Sequence, residues 1–390
     1  MQAKGATAVV EYTSKFDGLV IENFIVDYSK IENPDNYLTI EQKQAIVEAY
    51  ERVFAAQQII AKQANKDVEI SKGLMLKTKP IERVGIYVPG GKSPLPSSLL
   101  MAGATAKAAG VKDIFVCTPP SKTGVNPGIL YVAKLLGITD IYTAGGAQAI
   151  AAMSLGIPEL IKKADMICGP GNVYVTAAKG LASSKGLVKI DMLAGPSEVF
   201  VIADETGNAE YIAADMLAQA EHGSTSAAIL ATNSKEFAED VKKEIAKQLD
   251  QLQNKEATAQ AIRDYGSVVL TKTIQEAVDI ANSYAPEHLE IFVSNPEEIT
   301  KQNLNAGAVF VNTGEVFADY GFTGGNHILP TGGSAKFSSA LSVYDFIVRY
   351  YVEQLSQSEQ KLLARKCSTF AKLEQLEAHS RAAEKRGRDS

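Results

Sequence analysis

From Pro80 onward, short β-branched runs alternate with alanine-rich helical segments, and this alternation restricts the chain to few architectures. The runs are Val84–Val88, Ile114–Cys117, Ile141–Thr143, Met166–Cys168, Val199–Ile202, Ala228–Leu230, Val268–Leu270, Leu289–Val293 and Ala308–Val311. Most are nearly continuous in apolar residues, as strands buried on both faces of a parallel sheet must be. Strands separated by helices imply βαβ units with crossover connections. Nine strands are too many for one small sheet, and 390 residues leave room for two or three domains. The expectation is two α/β domains. Ahead of them, residues 39–64 predict an amphipathic helix, with Ile46, Ala49, Tyr50, Val53 and Phe54 on one face and Thr39 and Gln42 placed for a capping box. The charged, Gln-rich stretch 233–263 predicts a surface helix and its connection. From Ser342 the chain reads as purely helical, down to the polar tail RAAEKRGRDS, whose basic residues read as solvated.

Charge and composition remove other classes. With 45 acidic and 39 basic side chains the net charge is −6, so nucleic acid is not an expected partner. No apolar run approaches the roughly 18 residues of a membrane span. The start MQAKGATAVVEY lacks the basic and apolar regions of a secretory signal, and Cys117, Cys168 and Cys367 form no CxxC pair. Both observations predict reduced thiols in a cytoplasm.

Glycine-rich turns follow several of the apolar runs: Pro89-Gly90-Gly91, Gly145-Gly146, Gly169-Pro170-Gly171-Asn172 and Gly195-Pro196-Ser197. Ligands of open α/β sheets bind beyond the carboxyl ends of strands, where these turns are expected. Gly90-Gly91-Lys92-Ser93 is not a phosphate loop, because Ile86 stands where the motif needs its first glycine, and Pro94 and Pro96 interrupt the following helix. A GxGxxG is missing too, although Gly169–Asn172 opens a helix whose amides can face an anion or simply make a tight turn. No HExxH occurs.

Three segments carry chemistry. In Gln219-Ala220-Glu221-His222-Gly223, Gln219 and His222 are three apart at the end of a helical segment, Ala213–Glu221, on one face of its last turn. They suit a shared divalent metal, or a polar helix end with a dipole-favoured histidine. In Tyr284-Ala285-Pro286-Glu287-His288-Leu289, carboxylate and imidazole sit in the turn before a strand, either as an acid/base set or as a solvated pair. In Phe317–His327, Asp319 offers a hard oxygen ligand, and His327 either lines the same cleft or caps a turn. The fourth histidine, His379, lies near the chain end. Every histidine thus falls in one of these segments or in Leu376-Glu377-Ala378-His379-Ser380 near the chain end, and Gln, His, Asp and His form a borderline N/O set that suits zinc, although Gln is an unusual zinc ligand.

The segments ERVGIYVPGG, GGAQAIAA, GPGNVYVTAAK, DMLAGPSEV, AQAEHG, YAPEHLEI, DYGFTGGNHILPTGG and FSSALSVYDF resemble those of histidinol dehydrogenases, in the same order, from about residue 8 to residue 380. The resemblance implies two incomplete Rossmann-like α/β domains plus a helical C-terminal tail domain. The implied boundaries are 1–86 with 198–340 for the domain of metal and acid/base residues, 87–197 for the NAD domain, and 341–390 for the tail. It implies a zinc- and NAD-dependent, four-electron oxidation of L-histidinol to L-histidine through L-histidinal, at the end of histidine biosynthesis. The alternative is a paralogue acting on another small polar alcohol, such as sulfopropanediol; a binding protein on the same fold would not need the Glu287–His288 pair. Zinc would be held by Gln219, His222, Asp319 and His379. Glu287 and His288 match the acid/base pair. Ser197, Gln219, His222, His288, Asp319, Glu374 and His379 match substrate contacts, and Tyr87, Gln148 and Asn172 match NAD contacts. The tail's Glu374 and His379 would serve a second copy, which makes a homodimer with shared active sites.

Two departures from the family pattern stand out. The usual N-terminal helical extension is missing, and Asp191-Met192-Leu193-Ala194 lacks the usual proline after Met, which loosens the turn before Ser197. Glu374 and His379 are five apart, roughly 140° around a helix, so one narrow helical face cannot hold both and the helix is expected to end between them.

Overall fold

The computed structural model describes residues 4–20, 24–26, 33–90, 94–158, 160–253 and 255–387. Gly91, Lys92 and Ser93, and the last three residues of the basic tail, lie outside the described residues. The chain forms two compact units, Met1–Lys62 with Pro80–Phe346, and Gln63–Lys79 with Ile347–Ser390.

The larger unit holds two five-stranded parallel sheets. The first runs, edge to edge, Ile141–Thr143, Asp113–Thr118, Arg83–Tyr87, Met166–Cys168, Lys189–Ile190. The second runs Gly266–Leu270, Ala227–Thr232, Glu198–Ala203, His288–Phe292, Ala308–Val311. Numbered along the chain, both have the order 3-2-1-4-5, five strands of the six-stranded Rossmann sheet. The nine expected strands all form, with Lys189–Ile190 as a short tenth.

Packing explains why these runs are strands. Along Glu198–Ala203 successive side chains alternate between faces. Val199 and Val201 join Met216 and Leu230 on one side, and Phe200 and Ile202 join Leu289 and Ile291 on the other. The first sheet packs Phe115, Ile150, Met153, Ile167 and Val175 into one cluster. Each fully buried side chain of this size is worth about 1.5–3 kcal/mol relative to exposure. Helix Pro96–Ala109 is buried on nearly all sides, and a Cβ at its Gly103 would lie 2.4 Å from Leu136 Cδ1, so a larger residue there must displace the Leu136 side chain of helix Pro127–Leu136. Helix Ile40–Ala64 begins with the expected capping box: the Thr39 N–H donates to Gln42 Oε1 (2.9 Å) and the Gln42 N–H to Thr39 Oγ1 (3.2 Å). The chain opens with helix Ala6–Asp17, whose Val9 joins the core of the first sheet. Cys117 and Cys168 are buried free thiols.

Two expectations need correction. Gly195-Pro196-Ser197 does not end a strand; it leads into the amino end of Glu198–Ala203. The chain beyond Ser342 is not purely helical either. In the smaller unit, Ile347–Glu353 is a strand in a three-stranded sheet with Leu74–Pro80 and Val68–Ser71. Its Val, Tyr and Ile content favours an extended backbone, but nearly all its positions are exposed, so it shows no core-facing alternation. Helices Gln357–Leu373 and Glu377–Arg386 follow and pack on each other through Ser368 and Ser380, whose hydroxyls lie 2.9 Å apart. No helix among the described residues is long and apolar enough to cross a membrane.

Candidate active site

A cleft of about 560 Å³ opens between the carboxyl edge of the first sheet and the amino edge of the second. From the first sheet come Pro89 and the Gly169–Asn172 turn. From the second come Ser197, just before Glu198–Ala203, and Glu287 with His288, at the start of His288–Phe292. The two halves of the site thus use opposite ends of their strands. A loop closes a third side: Asn326 Nδ2 donates to Met101 O (3.1 Å) and Thr105 Oγ1 (2.8 Å), which ties the segment carrying His327 to helix Pro96–Ala109.

Local structure aims Glu287 and His288 inward. Helix Ile274–Tyr284 ends at Ala285 in the left-handed region (φ 56°), a conformation that is uncommon outside glycine. Pro286 then redirects the chain. The Glu198 N–H donates to Glu287 Oε2 at 3.1 Å. Burial pushes the Glu287 carboxyl up to about 8, with the Glu198 N–H opposing and the Glu198, Asp319 and Glu315 charges adding. His288 is 4% exposed, and its Nε2 lies 2.8 Å from His327 Nε2, the two rings stacked. Burial, then the neighbouring His327 and His222, drives the His288 pKa well below 6.5; burial also lowers His327 to about 4. His327 therefore does line the cleft, beside the acid/base pair rather than capping a turn.

Helix Ala209–Ala220 delivers Gln219, with Asn208 as its cap. Gln219 is fully buried, and neither Oε1 nor Nε2 has a hydrogen-bond partner. Such a group costs on the order of 1–3 kcal/mol unless something binds it. His222 stands just past the helix end, with its N–H toward Gln219 O (3.4 Å). Asp319, on the short helix Val316–Asp319, lies 3.8 Å from His327 Nε2. Gln219, His222, Asp319, Glu287, His288 and Ser197 all line the one cleft. Among the described residues no group of three or more His, Cys, Asp or Glu is gathered to hold a metal. Gln219 falls outside that residue set, and its orphaned amide is what fits a metal here.

The other expected residues are placed differently. Asn172 lines the cleft while capping helix Val173–Ser184: its Oδ1 accepts the Tyr174 and Val175 N–H groups, each at 3.1 Å. Tyr87 and Gln148 are buried near one another and do not line it. The Gly146 N–H donates to the Tyr87 hydroxyl (3.1 Å), and Gln148 Nε2 to Asp17 Oδ2 (3.4 Å). Glu374 and His379 belong to the smaller unit, both exposed. The first helix does end between them: Glu374 is its C-cap, Gln375 has φ 60°, and the next helix starts at Glu377.

Residue reasoning alone missed Glu315, whose carboxyl burial raises to about 8, and the buried Lys179–Asp191 pair, both lining the cleft. Glu315 carries no local mark, and although Lys179 ends one quoted segment and Asp191 begins another, only the fold pairs them.

Paired five-stranded, Rossmann-like sheets around a cleft with a buried carboxyl and imidazole mark an α/β enzyme. The fold itself is shared with an acetylating aldehyde dehydrogenase from Geobacillus thermoglucosidasius (14% identity, TM-score 0.52, covering 90% of this chain and 97% of that one). The chain belongs to the histidinol dehydrogenase family, whose model matches residues 1–387, and is therefore an oxidoreductase. It is 42% identical over 395 residues to the histidinol dehydrogenase of Bacillus subtilis strain 168, covering 100% of this chain and 91% of that protein. A histidinol dehydrogenase structure from Elizabethkingia anophelis superposes with TM-score 0.89 at 40% identity, covering 98% of this chain and 88% of that one.

Proposed function

We propose that this protein oxidises L-histidinol to L-histidine through L-histidinal, with zinc and two molecules of NAD, as a cytoplasmic homodimer with shared active sites. The observation that carries the reading is the meeting of Gln219, His222 and Asp319 with Glu287 and His288 on one cleft, the Gln219 amide buried and unpaired. The relatives' names favour histidinol over another small polar alcohol such as sulfopropanediol.

Gln219, His222 and Asp319 would hold the metal, with His379 of a second copy as the fourth ligand. Tyr87, Gln148 and Asn172 would contact NAD. Ser197 and the tail's Glu374 join the ligands and His288 in holding the substrate. When bound, zinc supplies Lewis acidity toward the alcohol oxygen and NAD accepts the hydride. His288, neutral in its buried site, takes the alcohol proton. The aldehyde needs water added before a second hydride can leave, and Glu287 takes the proton from that water. Each acid/base role is worth roughly 10²–10⁴ in rate.

The test is NAD reduction with L-histidinol, with and without a chelator. The expected result is two NADH per histidinol, abolished by the chelator and restored by zinc. Turnover of a different polar alcohol, with none of histidinol, would replace the substrate assignment.

A further inference from the structure

Lys179 is 2% exposed and ranks among the largest fully buried side chains of the molecule. A lysine is almost never buried to this extent without a partner. Its ammonium pairs with Asp191, whose side chain is 1% exposed. The two halves of the pair then take both polar groups of one peptide residue. Lys179 Nζ donates to Gly169 O at 3.0 Å, and the Gly169 N–H donates to Asp191 Oδ2 at 2.8 Å.

Gly169 occupies a demanding position. Its φ is 114°, and a Cβ there would lie 2.1 Å from Tyr87 O, so the turn crosses directly over the carboxyl end of Arg83–Tyr87. From Gly169 the chain runs to Asn172 and helix Val173–Ser184, which itself carries Lys179. Thr176 of that helix donates to Ala194 O (2.9 Å), and the Gly195 N–H donates to Thr331 Oγ1. Asp191 also heads the segment leading to Ser197. One ion pair therefore braces two walls of the cleft.

Stability alone does not account for the pair. Replacing a buried ion pair with apolar side chains of similar volume is often neutral or stabilising. What apolar side chains lose here is the hold on both polar groups of Gly169. We propose that Lys179 and Asp191 are positioning residues that set the Gly169–Asn172 turn to receive the dinucleotide. This rests on the NAD reading above.

Two variants test it, Lys179→Met/Asp191→Leu and the milder Lys179→Met/Asp191→Asn, which keeps an acceptor for the Gly169 N–H; neither strands a charge. Hydrogen exchange is followed over residues 169–176 in cofactor-free protein, and NAD binding by titration calorimetry. In Lys179→Met/Asp191→Leu the segment is expected to exchange about tenfold faster. Its Kd for NAD rises about tenfold, the loss of roughly one hydrogen bond's worth of positioning. Lys179→Met/Asp191→Asn shifts both in the same direction by less. Should Lys179→Met/Asp191→Leu not fold, Lys179→Met/Asp191→Asn alone decides. Wild-type exchange and wild-type NAD affinity in the folded variants would overturn the proposal, as would faster exchange with unchanged affinity. If the wild-type protein binds no NAD, the cofactor reading fails first, and that result is separate because the exchange measurement uses no cofactor.

Discussion

His288 enters the cleft without a charge, because burial beside a second histidine makes the imidazolium too costly. It is a base throughout the neutral range. Glu287 is the reverse: burial favours the neutral carboxyl, so below about 8 it carries a proton and above about 8 it can accept one. A cation bound nearby moves that limb to lower pH, never higher. The two side chains therefore part company with pH. Oxidation of L-histidinal is expected to rise as pH passes upward through the Glu287 titration, and Glu287→Gln should lose that limb and slow aldehyde oxidation more than alcohol oxidation. His288→Ala should slow both by roughly 10²–10⁴. Separate assays started from histidinol and from histidinal, across pH, check this; equal losses in the two half-reactions for Glu287→Gln would refute the division of labour. Glu287, His288, Gln219, His222 and Asp319 were legible in the sequence because each stands in a short, chemically dense segment. The stacking of His327 on His288 was not, since 39 residues separate them and only the meeting of a strand start with a long loop joins them.

The strands were legible because strands covered on both faces must be apolar throughout, and all nine expected runs are strands. Ile347–Glu353 was not, because it is exposed and follows no core periodicity. Which end of a strand faces the site was hidden too. A turn such as Gly195–Ser197 has the same composition whether it ends a strand or begins one, and only the pairing of the sheets decides. Helix Val173–Ser184 gives this a measurable form, because its N-cap Asn172 is at once a structural group and a proposed cofactor contact. Loss of an N-cap costs about 0.5–2 kcal/mol. Asn172→Ala should lower Tm and weaken NAD binding together. Asn172→Ser should keep the cap, hold Tm near wild type, and still weaken NAD binding. Thermal unfolding and NAD titration of the two variants check it; an Asn172→Ser protein with wild-type affinity would reduce Asn172 to its capping role.

Both sheets repeat the 3-2-1-4-5 order, yet the cleft takes the carboxyl edge of one and the amino edge of the other. The arrangement gathers three of the four proposed metal ligands in one unit and leaves His379 in the other. An exposed histidine on the chain's last helix does no packing work, so its proposed role rests on a second copy of the chain. A shared site has a consequence that a self-contained one lacks. His222→Ala and His379→Ala should each be inactive and low in zinc. When the two are unfolded together, mixed and refolded with zinc, a hybrid dimer pairs an intact His222 with an intact His379 in one of its two sites. Random reassortment makes half the dimers hybrid, so activity should return to about a quarter of wild type. Refolding either variant alone should return none. A mixture that stays inactive while wild type refolds under the same conditions would show that the tail serves its own chain, and the shared-site dimer would have to be given up.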